Sequence, residues 1–90
     1  MKEKPVSEKR DLGSKNNYTL ILLNDEVNSF DHVIKSLIEV CGHDPVQAEQ
    51  CAVIAHFRGN CDVKTGRPSV LTAMKRGLGE RKLNSEVKPI

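Results

Sequence analysis

Phe30, Val33, Ile34, Leu37, Ile38 and Cys41 fall at i, i+3, i+4, i+7, i+8 and i+11, the spacing of one apolar stripe along an α-helix. Asp31, Lys35 and Glu39 share the opposite face at i,i+4 spacing, where opposite charges support one another. The stripe has a start and a stop. Asn28 is placed to cap it, with Asp31 three residues on at the positive end of the helix dipole. Gly42 stands where a left-handed C-cap is expected. A helix of this kind must bury its stripe against another element, so the rest of the chain has to supply one.

The segment before it is suited to that task. Tyr18 to Leu23 is a β-branched and aliphatic run without Gly or Pro, and it reads as a buried strand. After the first helix, Asp44-Pro45-Val46-Gln47 repeats a helix start: a capping Asp, Pro in the first turn, Gln at the third position. The second helix is expected from Pro45 to about Arg58, closed by Gly59. It has two apolar edges, Val46, Gln50, Val53, Ile54 and Phe57 on one and Ala48, Cys51, Ala52 and Ala55 on the other. Two such edges predict a helix sandwiched between the core and a second surface, either another element or a pocket.

Asn60 to Thr65 alternates Cys61 and Val63 with Asp62 and Lys64, a half-buried strand of period two. Thr65-Gly66-Arg67 turns, and Pro68 opens a third helix with the stripe Val70, Ala73, Met74, Leu78. Gly77 and Gly79 weaken it by up to about 1 kcal/mol each. Leu83 to Val87 alternates again as a last strand. The order β-α-α-β-α-β predicts a two-layer α+β domain, a three-stranded antiparallel sheet with three helices on one face. Residues 1–16, rich in Lys and Glu and poor in aliphatics, cannot offset their ordering entropy and are expected to form a disordered arm ahead of a domain at 17–90.

Composition narrows the function. Of the 14 basic and 12 acidic side chains, the arm holds five and three, so residues 17–90 are balanced. A domain without a basic footprint argues against nucleic acid. No apolar run approaches the ~20 residues that span a bilayer, and no signal-peptide core precedes the cysteines. Cys41, Cys51 and Cys61 match no metal-ligand spacing and read as three small apolar residues in a reducing compartment. A cytoplasmic monomer, without cofactor or metal, is expected. An enzyme is not: there is no nucleophile elbow, no H-E-x-x-H, no Gly-rich phosphate loop, and no Cys–His pair with an orienting partner.

What chemistry remains gathers at the end of the first strand, where Asn24, Asp25 and Glu26 follow Leu23. Asx residues commonly close turns on their own backbone, so a structural role accounts for them. Three acceptors with no basic residue from Leu20 to Asp31 would also favour a cation. His56, near the end of the second helix, is explained by the helix dipole alone. His32 and His43 are expected to be solvated.

Leu22-Leu23-Asn24-Asp25-Glu26, Val33-Ile34, Ala48, Gln50 and His56-x-x-Gly59 together resemble the ClpS family, adaptors that hand substrates to the AAA+ unfoldase of the Clp protease. The family pattern, roughly V-x-L-x-N-D-D-x-x-x-M-x-x-V followed by a helix ending H-x-x-G, runs without a gap from about Tyr18 to Gly59. The resemblance implies a β-α-α-β-α-β domain that binds the free α-amino group of proteins carrying a bulky N-terminal residue. Asn24, Asp25, Glu26 and His56 would receive the ammonium. Phe30, Ala52 and Ala55 would line the side-chain pocket, with Asn28 at its lip. The unfoldase partner would be of the ClpA or ClpC type. An ammonium must be protonated and the imidazole neutral, so binding should be best near neutrality and weaken on both sides.

The chain departs from the pattern in several places. Glu26 stands for a second Asp, Phe30 for a gating Met, and Ala52 for another Met. On the third helix, Ser69 stands at a docking Glu and Met74 near a docking Lys. The alternative is a general protein-interaction module, since the fold also resembles the C-terminal domain of the ribosomal stalk protein. In that case His56→Ala would leave partner binding unchanged.

Overall fold

The computed structural model describes residues 17–90, and the expected arm at 1–16 lies outside the described residues. The elements run β1 (Tyr18–Leu23), α1 (Phe30–Cys41), α2 (Pro45–Arg58), β2 (Asn60–Gly66), α3 (Pro68–Glu80) and β3 (Ser85–Pro89). The strands form one antiparallel sheet in the order β2-β1-β3, and the helices cover it on one face. This is the two-layer α+β domain that the order of periodicities indicated.

The first strand in sequence is the central strand in space, because both later strands return to pair with it. Tyr18 faces Gly66 on one side and Pro89 on the other. Pro89 is tolerated because β3 is an edge strand. Pairing with β2 slips between Leu20 and Ile21, where Val63 is the extra residue of a bulge. Leu20 and Leu22 of β1 then join Leu37, Cys41, Ala48, Cys51, Ala55, Cys61, Val63, Leu71, Leu78 and Leu83 in a single aliphatic core.

The helix ends explain themselves chemically, with one correction. Ser29, not Asn28, caps α1, its hydroxyl accepting from the His32 N–H at 3.2 Å. Asn28 lies one residue too early and uses its amide elsewhere. Gly42 ends α1 in the left-handed conformation at φ 73°, which L side chains adopt only with strain. At α2 the Asp44 carboxylate accepts from the Gln47 N–H at 2.8 Å while Gln47 reaches back to the Asp44 N–H, a complete capping box.

Three other expectations need correcting. The bulky edge of α2 is not sandwiched: Val46 is 63% and Phe57 78% exposed. α2 packs against α1 and β2, and the residues it buries are the small ones, Ala48, Cys51, Ala52 and Ala55. On α3 the inward residues are Leu71, Met74 and Leu78, whereas Val70 and Ala73 face outward. Gly77 is a packing residue there, since a Cβ on it would meet Val40 Cγ1 at 2.8 Å. The last strand begins at Ser85, because Arg81 to Leu83 fold back on the end of α3, with the Leu83 N–H donating to the Leu78 carbonyl.

Neither of the two histidines expected in solvent stands free. His43 is buried and its Nε2 donates to the Val63 carbonyl at 2.8 Å, tying the α1–α2 loop to β2. His32 is half-buried, with Nε2 2.7 Å from the Arg81 carbonyl. All three cysteines are free and buried. Burial pushes the Cys41 thiol up to about 11, and burial together with neighbouring Cys61 raises Cys51 as well. Such thiols are poor nucleophiles.

Candidate functional site

β1 delivers its last residues to the C-terminal end of α2. Leu23 N–H donates to the Asn84 carbonyl and Asn24 N–H to the Gly59 carbonyl, each at 3.0 Å. Gly59 takes φ 93°, a conformation that suits glycine and lets the chain turn off the helix beneath Asn24. That single joint brings His56, one helical turn earlier, beside a residue 32 positions away in sequence.

Between them lies a cavity of roughly 360 Å³ including its open mouth, lined by Leu22, Leu23, Asn24, Asp25, Asn28, Phe30, Val33, Ala52, Ala55, His56 and Leu83. Seven of the eight candidate residues therefore meet in one place. Glu26 stands outside this lining, exposed in the adjoining turn. The small α2 residues Ala52 and Ala55 make the room, because their methyl groups stop short of the opposite wall. Leu22, Leu23, Val33 and Leu83 complete the walls. Val33 sits on the α1 stripe and is legible in the sequence as inward-facing, but nothing local marks Leu83 as a neighbour of the first strand.

The polar groups at the mouth divide into two kinds. Asp25 serves the fold: Oδ1 accepts from the Val27 N–H at 2.9 Å and the Asn28 N–H at 2.8 Å, and Oδ2 from Asn28 Nδ2 at 2.9 Å. Burial pushes its pKa up, but those hydrogen bonds and the charge of His32 outweigh it and hold the carboxyl below its ordinary 3.8. Asp25 is thus an ionised group held rigidly under the mouth. The turn reading of the sequence holds for this residue, and its negative charge remains available to a cation at short range.

Asn24, Glu26 and His56 are the other kind. Their side chains are exposed and, among the described residues, make no hydrogen bond or ion pair. His56 is fixed by packing, its ring 5.2 Å from Phe30 in a tilted pair and 4.9 Å from Phe57 edge-on. A carbonyl and an imidazole stand as open acceptors at the mouth of the cavity, with the Glu26 carboxylate in the adjoining turn and the Asp25 carboxylate behind them. Such a set suits a ligand with a cationic donor head and an apolar side group. Among the described residues no group of three or more His, Cys, Asp or Glu is arranged to hold a metal ion. None of the helices described is long and apolar enough to cross a membrane.

Comparison with known proteins gives this fold a family. The family model of the ATP-dependent Clp protease adaptor protein ClpS matches residues 13–88. The chain belongs to the ClpS family, which is one of adaptors rather than enzymes. Among solved structures it is similar to "The structure of Agrobacterium tumefaciens ClpS2 bound to L-phenylalaninamide", at a TM-score of 0.75 and 20% identity, over 81% of this chain and 95% of that one. At that identity the likeness speaks for the fold. No curated protein matches the chain in sequence.

Proposed function

We propose that the protein is a cytoplasmic adaptor that binds the free α-amino group and bulky first residue of substrate proteins and delivers them to the AAA+ unfoldase of a Clp protease. The observation that carries this reading is the cavity with open acceptors at its mouth. An α-ammonium presents three donors and a charge. Asn24 Oδ1 and a neutral His56 ring nitrogen receive two of the donors, and Glu26, directly or through water, receives the third. Asp25 adds fixed negative charge from behind. The first side chain then enters between Phe30, Ala52, Ala55 and the leucine walls, where its burial is worth about 1.5–3 kcal/mol. Phenylalaninamide, the ligand of the similar Agrobacterium structure, combines a free α-ammonium with an apolar side group, which is the chemistry this cavity suits. Delivery would use exposed residues of α3, among them Ser69 and Lys75, with Met74 turned toward the core, and a ClpA- or ClpC-type unfoldase.

Titrating a fluorescent peptide with N-terminal Phe against its N-acetylated form tests the reading. The free amine should bind at least tenfold more tightly. Equal affinities would remove the amine from the account and return the protein to a general interaction module.

A further inference from the structure

Leu83 forms one wall of the cavity although it follows α3, far from the strand and helices that supply the rest. Its place depends on the two residues before it. Lys82 has φ 68°, a left-handed conformation that a non-glycine residue keeps only when its neighbours hold it there. Asn28 Nδ2 donates to the Lys82 carbonyl at 2.9 Å and, with its other hydrogen, to Asp25 Oδ2 at 2.9 Å. An amide has two such hydrogens, so neither is left for a ligand. His32 supplies a second tie: a carbonyl only accepts, so Nε2 carries the hydrogen that bonds Arg81 O at 2.7 Å. On the far side of Leu83, the Asn84 carbonyl is held by Leu23 N–H.

We propose that Asn28 and His32 are positioning residues that set the width of the cavity, and hence which first residues are accepted, by stapling the α3–β3 turn to the start of α1. The inference rests on the reading of this cavity as the pocket for the first side chain. Asn28 joins the two functional walls through one amide, the Asp25 turn beneath the amine and the turn that carries Leu83. His32 bonds only the second, its charge alone reaching the Asp25 carboxylate. Loss of the His32 tie removes one of the turn's two side-chain anchors and leaves Asn28 on the Lys82 carbonyl and the backbone bonds from Lys82 N–H to Gly79 O and Leu83 N–H to Leu78 O. The loosened turn lets Leu83 move outward, while the amine acceptors stay where β1 and Gly59 put them. The side-chain profile changes and the amine requirement does not.

The test measures Kd for peptides that differ only in their first residue (Leu, Phe, Tyr, Trp), each with a free and an acetylated N-terminus. The proteins are the wild type, His32→Phe, which keeps a ring and loses the donor, His32→Gln, which keeps a donor, and Asn28→Ala. In His32→Phe the spread of Kd across first residues should shrink at least fivefold while the free-to-acetylated ratio stays within twofold of wild type. His32→Gln should restore the spread, and amide exchange at Lys82 and Leu83 should rise in His32→Phe and Asn28→Ala. An unchanged spread in His32→Phe, an equal loss for every first residue, or a wild-type profile that is already flat would overturn the proposal while leaving amine recognition standing. A wild type indifferent to acetylation would overturn the reading of the cavity and this inference with it.

Discussion

His56 offers the sharpest test of amine recognition, because its side chain makes no hydrogen bond within the described protein and its removal opens no core cavity. A hydrogen bond to a charged group contributes about 1.5–3 kcal/mol. The His56 ring is exposed at an open mouth, so water competes and the lower end of that range applies, about tenfold in Kd. The informative quantity is a cycle rather than a single loss. Affinities of wild type and His56→Ala are measured by fluorescence anisotropy for one Phe-initiated peptide, free and N-acetylated. If the imidazole accepts from the ammonium, His56→Ala weakens the free peptide about tenfold and the acetylated one hardly at all, a coupling of about 1.4 kcal/mol. Neither of the two rings against which His56 packs belongs to the core, Phe57 being 78% and Phe30 44% exposed, so Tm should fall by less than about 5 °C. Equal losses for the two peptides, a coupling near zero, would show that His56 acts through packing or not at all, and the amine would have to be bound elsewhere.

Two further outcomes follow from the scaffold. Gly77→Ala should lower Tm although alanine is the better helix former by about 1 kcal/mol, because its Cβ would lie 2.8 Å from a γ-carbon of Val40. Overpacking of that kind costs about 1–3 kcal/mol, the double variant with Val40→Ala should cost less than the two singles added, and a rise in Tm for Gly77→Ala would refute the close α1–α3 approach. The Asp25 carboxyl, held below its ordinary 3.8, stabilises the fold above its unfolded-chain value, and that contribution is lost as pH falls through the lower folded value. The Tm gap between wild type and Asp25→Asn should therefore be full at neutral pH, begin to shrink near pH ~3.8 and close only below the lower folded value, and an NMR titration of Asp25 with a midpoint above 3.8 would contradict it.

How much of this is legible in the sequence depends on whether the signal is local. α1 and α2 announce themselves through period, caps and closing glycines, and β1 through a short apolar run ahead of polar residues. The phase of α3 is ambiguous because Val70 and Leu71 both lie at helical spacing from Met74 and Leu78, and the residue that decides between them is Gly77, which shows no side chain. Asn28 and Ser29 are both good caps, and only the bond from the Asn28 amide to the Lys82 carbonyl, 54 residues on, leaves the cap to Ser29. His43 looks like a loop histidine, since its acceptor is a backbone carbonyl on β2 and backbone atoms leave no mark in a sequence. The site is half legible. Asn24 and His56 are paired through the family resemblance, whereas Leu83 and the ties that hold it exist only once the chain has closed.

The joint between β1 and α2 has a consequence for how such a protein can change. The acceptors at the mouth hang from the central strand, which is paired on both sides, and from Gly59 locked beneath Asn24. The walls come mostly from side chains on α1, α2 and the α3–β3 turn, with Leu22 and Leu23 of β1 completing them. The two jobs are therefore separable at Ala52, whose replacement reshapes the wall without passing through the strand that fixes Asn24, whereas Phe30 serves both, since it also packs on the His56 ring. If the proposed function holds, a lineage built on this plan can wander across repertoires of first residues while inheriting the same entry rule, an unblocked amino terminus.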